Sequence, residues 1–193
     1  MLLHKLKVIF IPGNGGATVN DHWFPHLREE LSYYGVKVIS EYFPDPMLAR
    51  AQYWLPFIDK MKPDEYTILV GHSTGATAAL RYTEQKKVLG SVLVAPNISD
   101  LDDPHEKLSG YFDIPWNWQN IRDNQDWIIH FASKDDPYVP IDESRHIGKM
   151  HGGDYFEREG YGHFGDDIGL ENFDELVHQV KHKLGVDPRS KVV

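Results

Sequence analysis

The sequence predicts a doubly wound α/β fold on a parallel sheet, and three observations carry that expectation. Short β-branched runs alternate with helical patterns along most of the chain, the order that crossover helices between parallel strands require. Several runs are almost wholly apolar, as in Thr67-Ile68-Leu69-Val70, and a strand needs that only where helices cover both faces. The 193 residues are 41% hydrophobic and 25% charged with no cysteine, so one ordinary core has to hold by packing alone.

Lys7 to Ile11 reads as the first strand, because Pro12-Gly13 ends an apolar run that Lys5 and Lys7 already interrupt. That run is too short for a membrane span and too broken for a signal peptide, so no membrane partner and a cytoplasmic location are expected. A helix at about 20 to 34 leads to a strand at Val36 to Glu41. The next helix, about 47 to 61, contains Pro56, which interrupts it unless it falls in a first turn or a kink. Tyr66 to Val70 and Gly90 to Ala95 are strands, with an Ala-rich helix at 74 to 86 between them. Trp127 to Phe131 and Asp154 to Glu157 follow, separated by a helix at 141 to 151. The last helix, 170 to 184, is capped by Gly185 and barred from continuing by Pro188. Residues 1–186 are thus expected to form one domain and 187–193 a flexible tail. Asn97 to Asp126 is left over, long enough for a short flap and too short for a lid domain.

Several function classes are excluded before any motif is considered. The formal net charge is -9 and the longest basic run is Lys86-Lys87, which argues against a nucleic-acid partner. Without cysteine there is no disulfide frame, thiolate zinc site or cysteine nucleophile. No H-E-x-x-H occurs, and no Lys-Ser/Thr pair follows the glycines at 13 to 16 as a phosphate loop demands. Counted from Gly13 and Gly15, the dinucleotide fingerprint meets Thr18 where its third glycine belongs. No metal and no cofactor are expected.

In a parallel sheet of this kind, ligands bind beyond the carboxyl ends of the strands. The loop after the third strand reads Gly71-His72-Ser73-Thr74-Gly75, a G-x-S-x-G match between an apolar strand and an Ala-rich helix. Small residues there allow a sharp reversal that exposes the Ser73 hydroxyl, which makes Ser73 the candidate nucleophile. The bland reading is a glycine-flanked turn whose serine caps the next helix. A serine hydroxyl needs a base, and the base needs a third group to fix its tautomer. Of eleven histidines, His163 stands in Gly160-Tyr161-Gly162-His163-Phe164, a loop directly after the last strand. His130 lies inside a strand, His22 and His26 share the first predicted helix, and His72 adjoins the serine on a turn where neighbours point apart. The acid is expected from Ser133 to Pro140, after the fifth strand. Asp136 begins a D-x-x-V-P pattern whose prolines stiffen the loop, and Asp135 is the alternative. Chain order is then Ser, Asp, His, as in α/β-hydrolases. Acyl transfer also needs donors for the developing oxyanion, and the backbone N–H groups of Asn14 and Thr74 are placed to supply them.

These segments resemble the small serine hydrolases typified by retinoblastoma-binding protein 9, with bacterial relatives of the YdeN type. The matching stretches are Pro12-Gly13-Asn14-Gly15-Gly16, Pro44-Asp45-Pro46, Trp54-Leu55-Pro56-Phe57, Gly71 to Ala76, Ser109-Gly110-Tyr111-Phe112, Pro115-Trp116, Asp135-Asp136-Pro137 and Gly162-His163-Phe164. The resemblance implies a compact α/β-hydrolase fold with six parallel strands in the order 2-1-3-4-5-6 and helices on both faces. It also implies the triad Ser73, Asp136 and His163. The family is named for partner binding through L-x-C-x-E, and the corresponding Met61-Lys62-Pro63-Asp64-Glu65 lacks the Leu and the Cys. A retinoblastoma-type partner is therefore not carried over.

The expected activity is hydrolysis of a small-molecule acyl substrate, an ester, thioester or small amide, through an acyl-enzyme on Ser73. The rival is an interaction scaffold on the same fold. Tyr111, Phe112, Trp116 and Trp118 are candidates for a substrate-facing flap, for a partner patch or for ordinary core filling.

Overall fold

The computed structural model describes residues 5–165 and 167–186. The proposed tail at 187–193, and His4, lie outside the described residues. The elements in chain order are β1 (Lys7–Ile11), α1 (Phe24–Tyr33), β2 (Lys37–Ile39), α2 (Ala51–Lys60), β3 (Thr67–His72), α3 (Thr74–Thr83), β4 (Gly90–Val94), α4 (Pro104–Ser109), α5 (Trp118–Asp123), β5 (Trp127–Ser133), α6 (Ile141–His151), β6 (Asp154–Arg158) and α7 (Asp174–Leu184). The six strands form one sheet in the order 2-1-3-4-5-6, and every pairing is parallel. No helix among the described residues is long and apolar enough to cross a membrane.

Alternation along each strand divides the interior into two cores. Val8 and Phe10, Ile68 and Val70, Val92 and Val94, and Ile129 and Phe131 meet Phe24, Leu27 and Leu31 of α1 and Leu176, Val180 and Leu184 of α7. Ile9 and Ile11, Leu69 and Leu93 face the opposite way, onto Trp54 and Ile58 of α2, the Ala-rich side of α3, Ile121 of α5 and Ile147 of α6. Successive side chains of a strand point to opposite faces, so an apolar run fills both layers at once.

Element boundaries depart from the sequence reading where backbone chemistry overrides periodicity. The first helix starts at Phe24, not at about 20, because Pro25 occupies its first turn and His22 takes a left-handed φ of 53°. His22 therefore does not share α1 with His26. The second helix begins at Ala51 and runs through Pro56, whose ring and the Gln52 residue one turn earlier are both exposed, leaving the freed carbonyl to water. The last helix begins at Asp174, since Phe173 is pinned in the core against Phe131 and Phe164. β3 and β5 continue past their expected ends, to His72 and Ser133.

The stretch from 97 to 126 contains two short helices that periodicity did not reveal. Asp103 caps α4 by accepting from the backbone N–H of His105 and Glu106, with Pro104 in the first turn and Gly110 left-handed at the end. Asn117 caps α5. A buried ion pair on α3 holds this stretch down. The Arg81 guanidinium donates to Glu84 at 2.9 Å, to the carbonyls of Tyr111 at 2.7 Å and Ile114 at 2.6 Å, and lies 3.5 Å from the centre of the Trp116 ring. The Asn117 N–H donates to the Glu84 carboxylate at 2.7 Å. With both charges fully hydrogen-bonded, burial is tolerated.

A second buried polar pair joins β5 to the end of α6. The Gly153 N–H donates to His151 Nδ1 at 2.9 Å, so the His151 proton sits on Nε2 and points to His130 Nδ1, 3.2 Å away. Both rings are held neutral. Burial pushes His130 well below the ordinary imidazole value, with His151 adding to it, and burial pushes His151 down from 6.5 to about 4, against a smaller pull from Asp154.

Two expectations follow from this packing. A Cβ at Gly75 would lie 2.2 Å from the carbonyl oxygens of Ile11 and Pro12. Gly75→Ala should thus lose about 3 kcal/mol, or about 6–12 °C of Tm by calorimetry. The unfolded chain binds more protons than the folded one between the ordinary histidine pKa and the depressed values, so stability is full above about pH 6.5 and falls as pH drops toward about 4. Urea midpoints measured across that range should fall in the wild type, and less steeply in His151→Gln, which keeps an acceptor but no basic nitrogen.

Candidate active site

Ser73 stands at the junction of β3 and α3 with φ 54° and ψ -127°, outside the regions that suit an L-residue. Such a conformation costs about 1–3 kcal/mol and survives only where the surroundings enforce it. Here the flanking glycines do so. A Cβ at Gly71 would lie 2.5 Å from the backbone of Gly75 and Ala76, and one at Gly75 would strike the end of β1. The Ser73 N–H donates to the Val94 carbonyl at 2.8 Å, and its own carbonyl accepts from Ala76 and Thr77. The side chain, freed from both, is partly exposed on a cavity of about 720 Å³ at the carboxyl edge of the sheet.

His163 lines the same cavity, on the loop between β6 and α7. Its Nδ1 is 2.8 Å and 3.0 Å from the two carboxylate oxygens of Asp136. The carboxylate fixes the proton on Nδ1 and leaves Nε2 as a bare acceptor. The Asp136 side chain is 3% exposed and the His163 side chain 13%. Asp136 is aimed by its own turn, in which Oδ1 accepts from the N–H groups of Tyr138 at 2.9 Å and Val139 at 3.0 Å. Asp135 has a different task. It accepts from the Ser133 hydroxyl at 2.6 Å and the Gly160 N–H at 2.7 Å, tying the fifth loop to the sixth, and the Ser133 bond holds its carboxyl below the usual range.

The His163 loop is clamped from three sides. The His163 N–H donates to Asp167 at 2.7 Å, and the Trp23 indole N–H donates to the Phe164 carbonyl at 3.1 Å. Phe164 is fully buried and stacks on Phe173. His72 provides the remaining clamp: its Nε2 lies 2.7 Å from the His163 carbonyl and therefore carries the proton. Burial, with His163 and His22 adding to it, keeps the His72 ring neutral and far below the ordinary imidazole range. Adjacency to Ser73 concealed this role, because a turn residue was expected to point away from the site.

Asn14 lies in the loop after β1, where the N–H groups of Gly15 and Gly16 are taken by the carbonyls of Met47 and Pro46 at 3.1 Å. Both glycines have positive φ, 68° and 89°. Thr74 is the first residue of α3, so its N–H has no intrahelical acceptor. Asn14 and Ser73 line one cavity, and Thr74 is buried behind it. The cavity also carries four carboxylates, Asp21, Asp103, Glu106 and Asp167, and no Lys or Arg among its described residues.

The aromatic candidates fall elsewhere. Tyr111, Phe112, Trp116 and Trp118 do not line the cavity. Tyr111 is 1% exposed, and the other three pack against the core under α2 and α3. They are where the Arg81 clamp draws the chain, so of the three readings the packing favours core filling. The same stretch does border the cavity, but through Leu101 and the polar start of α4: Asp103, His105 and Glu106. The capping pattern Asp103-Pro104-His105-Glu106 was a readable signal for that helix. Tyr138, exposed and edge-on to the His163 ring at 4.9 Å, completes the rim.

Comparisons with known proteins bear on the family and the fold. The family model described as serine hydrolase matches residues 8–182. Serine hydrolase RBBP9 of Rattus norvegicus is 39% identical over 181 residues, covering 92% of this chain and 95% of the relative. The putative hydrolase YdeN of Bacillus subtilis is 28% identical over 179 residues, covering 90% and 94%. The crystal structure of the ydeN gene product superposes with a TM-score of 0.85 at 26% identity over 93% of this chain and 99% of that one. Est1E of Butyrivibrio proteoclasticus, solved with ferulic acid bound, shares the fold at a TM-score of 0.69 and 13% identity, over 93% and 90%. The chain belongs to the RBBP9/YdeN-like family of serine hydrolases.

Proposed function

We propose that the protein hydrolyses a small ester, thioester or amide through an acyl-enzyme on Ser73, in the manner of a carboxylesterase. The observation that carries this reading is the His163 imidazole bonded to Asp136 at 2.8 Å on the same cavity as a serine in a strained turn. His163 Nε2 takes the Ser73 proton as Oγ attacks the carbonyl carbon. Asp136 holds the ring in the correct tautomer and offsets the charge of the imidazolium. The oxygen that becomes negative is received by the N–H groups of Asn14 and Thr74, and such donors are often the largest single contribution to acyl transfer. The imidazolium returns its proton to the leaving group. Water, activated by the same nitrogen, then attacks the acyl-enzyme and releases the acid.

A volume of about 720 Å³ suits a small-molecule substrate, within the usual range of ligand pockets. Of the aromatic residues at 111–118, Tyr111 is buried and Phe112, Trp116 and Trp118 are half-buried against the core, which favours core packing over a partner patch.

Ser73→Ala should abolish labelling by a fluorophosphonate probe and lower kcat on a p-nitrophenyl ester about 10³-fold or more. Unchanged labelling of that variant would sink the assignment. Asp136→Asn should lower kcat about 10³–10⁴-fold while KM stays within a few-fold, because the ring is left in the wrong tautomer. Asp135→Asn should act chiefly on Tm, which tells the two aspartates apart.

A further inference from the structure

One buried carboxylate on the cavity wall has no part in the chemistry above. Glu106 is 6% exposed, and its oxygens face three neutral donors drawn from three different segments. Oε1 accepts from Asn14 Nδ2 at 2.6 Å and from the Thr74 hydroxyl at 2.8 Å. Oε2 accepts from Asn97 Nδ2 at 3.2 Å. Asn14 follows β1, Thr74 opens α3, and Asn97 follows β4. Hydrogen bonds to an ionised acceptor are about twice as strong as neutral ones, and a buried charge makes that acceptor hard to displace.

Glu106 is itself held firmly. Its N–H donates to the Asp103 cap at 3.1 Å, and its carbonyl accepts from the buried Ser109 hydroxyl at 2.6 Å. Asn97 is oriented as well, because its amide oxygen accepts from the Thr77 hydroxyl at 2.6 Å, which turns the amide NH₂ toward Glu106. Every group around the carboxylate is a donor. Glutamate meets all three, whereas glutamine at this position would set an NH₂ against another NH₂.

Asn14 and Thr74 are the residues whose backbone N–H groups the hydrolase reading assigns to the oxyanion. One carboxylate oxygen grips both side chains. We propose that Glu106 is a positioning residue of the oxyanion hole: it fixes the spacing of the Asn14 and Thr74 N–H groups and touches no reacting atom. The proposal rests on the assignment of Ser73 as nucleophile. It gives α4 a purpose in the chemistry, since α4 brings Glu106 to the β1 and β3 loops.

The test compares wild type, Glu106→Ala, Glu106→Gln and Ser73→Ala, using p-nitrophenyl acetate for kcat and KM and a phenylboronic acid that forms a tetrahedral adduct on the serine. Displacement of catalytic groups by about 1 Å costs about 10²-fold, and loss of a whole donor about 10²–10³-fold. Glu106→Ala should therefore lower kcat about 10–100-fold with KM within about 3-fold, and boronic acid affinity should fall by the same factor as kcat/KM. Glu106→Gln should fall between the two, because it keeps one acceptor for Asn14 and Thr74, and it carries the test if the alanine variant does not fold. A general loss of packing would lower Tm without this parallel between kcat/KM and inhibitor affinity. Unchanged kcat in a folded variant overturns the proposal, as does a rise in KM at constant kcat, which would make Glu106 a substrate contact. If Ser73→Ala keeps full activity, the hydrolase reading falls and the proposal with it. If Ser73→Ala is inactive and Glu106→Ala is not, the proposal alone falls.

Discussion

The contact on which the rest of this molecule depends is the approach of two backbones with nothing between them: the start of α3 against the end of β1. Gly75 has no room for a single carbon beside the carbonyls of Ile11 and Pro12, and Gly71 has none beside Gly75. Because the chain must reverse in so little space, Ser73 is forced to positive φ and its side chain is thrown outward. The same approach brings the loop after β1 beside the loop after β3, which sets Asn14 next to Thr74. The positions of Ser73, Asn14 and Thr74 are thus outcomes of one steric fact. The parallel sheet supplies the direction, delivering the strand ends to one edge.

Closeness alone does not hold the loops around Ser73 in a fixed geometry. The remaining precision comes from polar bonds that run from loop to loop. Asp136 holds His163, His72 holds the His163 carbonyl, Trp23 holds the Phe164 carbonyl, and Glu106 holds the β1 loop to α3. In each, at least one partner is buried or nearly so, where a hydrogen bond is stronger than in water and an unmet one is costly. The Arg81–Glu84 pair extends the arrangement outward, fastening the stretch that carries α4 onto the helix that carries Ser73. The site is a set of loops locked to one another above a conventional core.

Much of this was legible in the sequence because the relevant signals are local. Apolar runs such as Thr67 to Val70 gave the strands, G-x-S-x-G between a strand and a helix placed Ser73, and D-x-x-V-P favoured Asp136 while leaving Asp135 open, the bond to His163 falling to Asp136. What escaped was non-local or depended on a single residue's backbone. His22 was assigned to a helix because periodicity cannot see a left-handed φ. The aromatic residues at 111–118 suited a flap, a partner patch or core filling, and the packing that favours the last depends on the Arg81 guanidinium, distant in sequence. Glu106 carried no signal beyond a capping pattern, since its three partners lie at positions 14, 74 and 97. Charge pairing across loops has no period, so composition and pattern do not reveal it.

The proposed acyl-transfer site is built around Ser73 by the loops after β1, β3, β5 and β6. A crystal structure of the protein after reaction with a fluorophosphonate tests it most directly. Phosphorus should be bonded to Ser73 Oγ, with the phosphonyl oxygen about 2.7–3.1 Å from the backbone nitrogens of Asn14 and Thr74 and His163 Nε2 facing the modified oxygen. A phosphonate on another residue, or a phosphonyl oxygen turned away from Asn14 and Thr74, would contradict it.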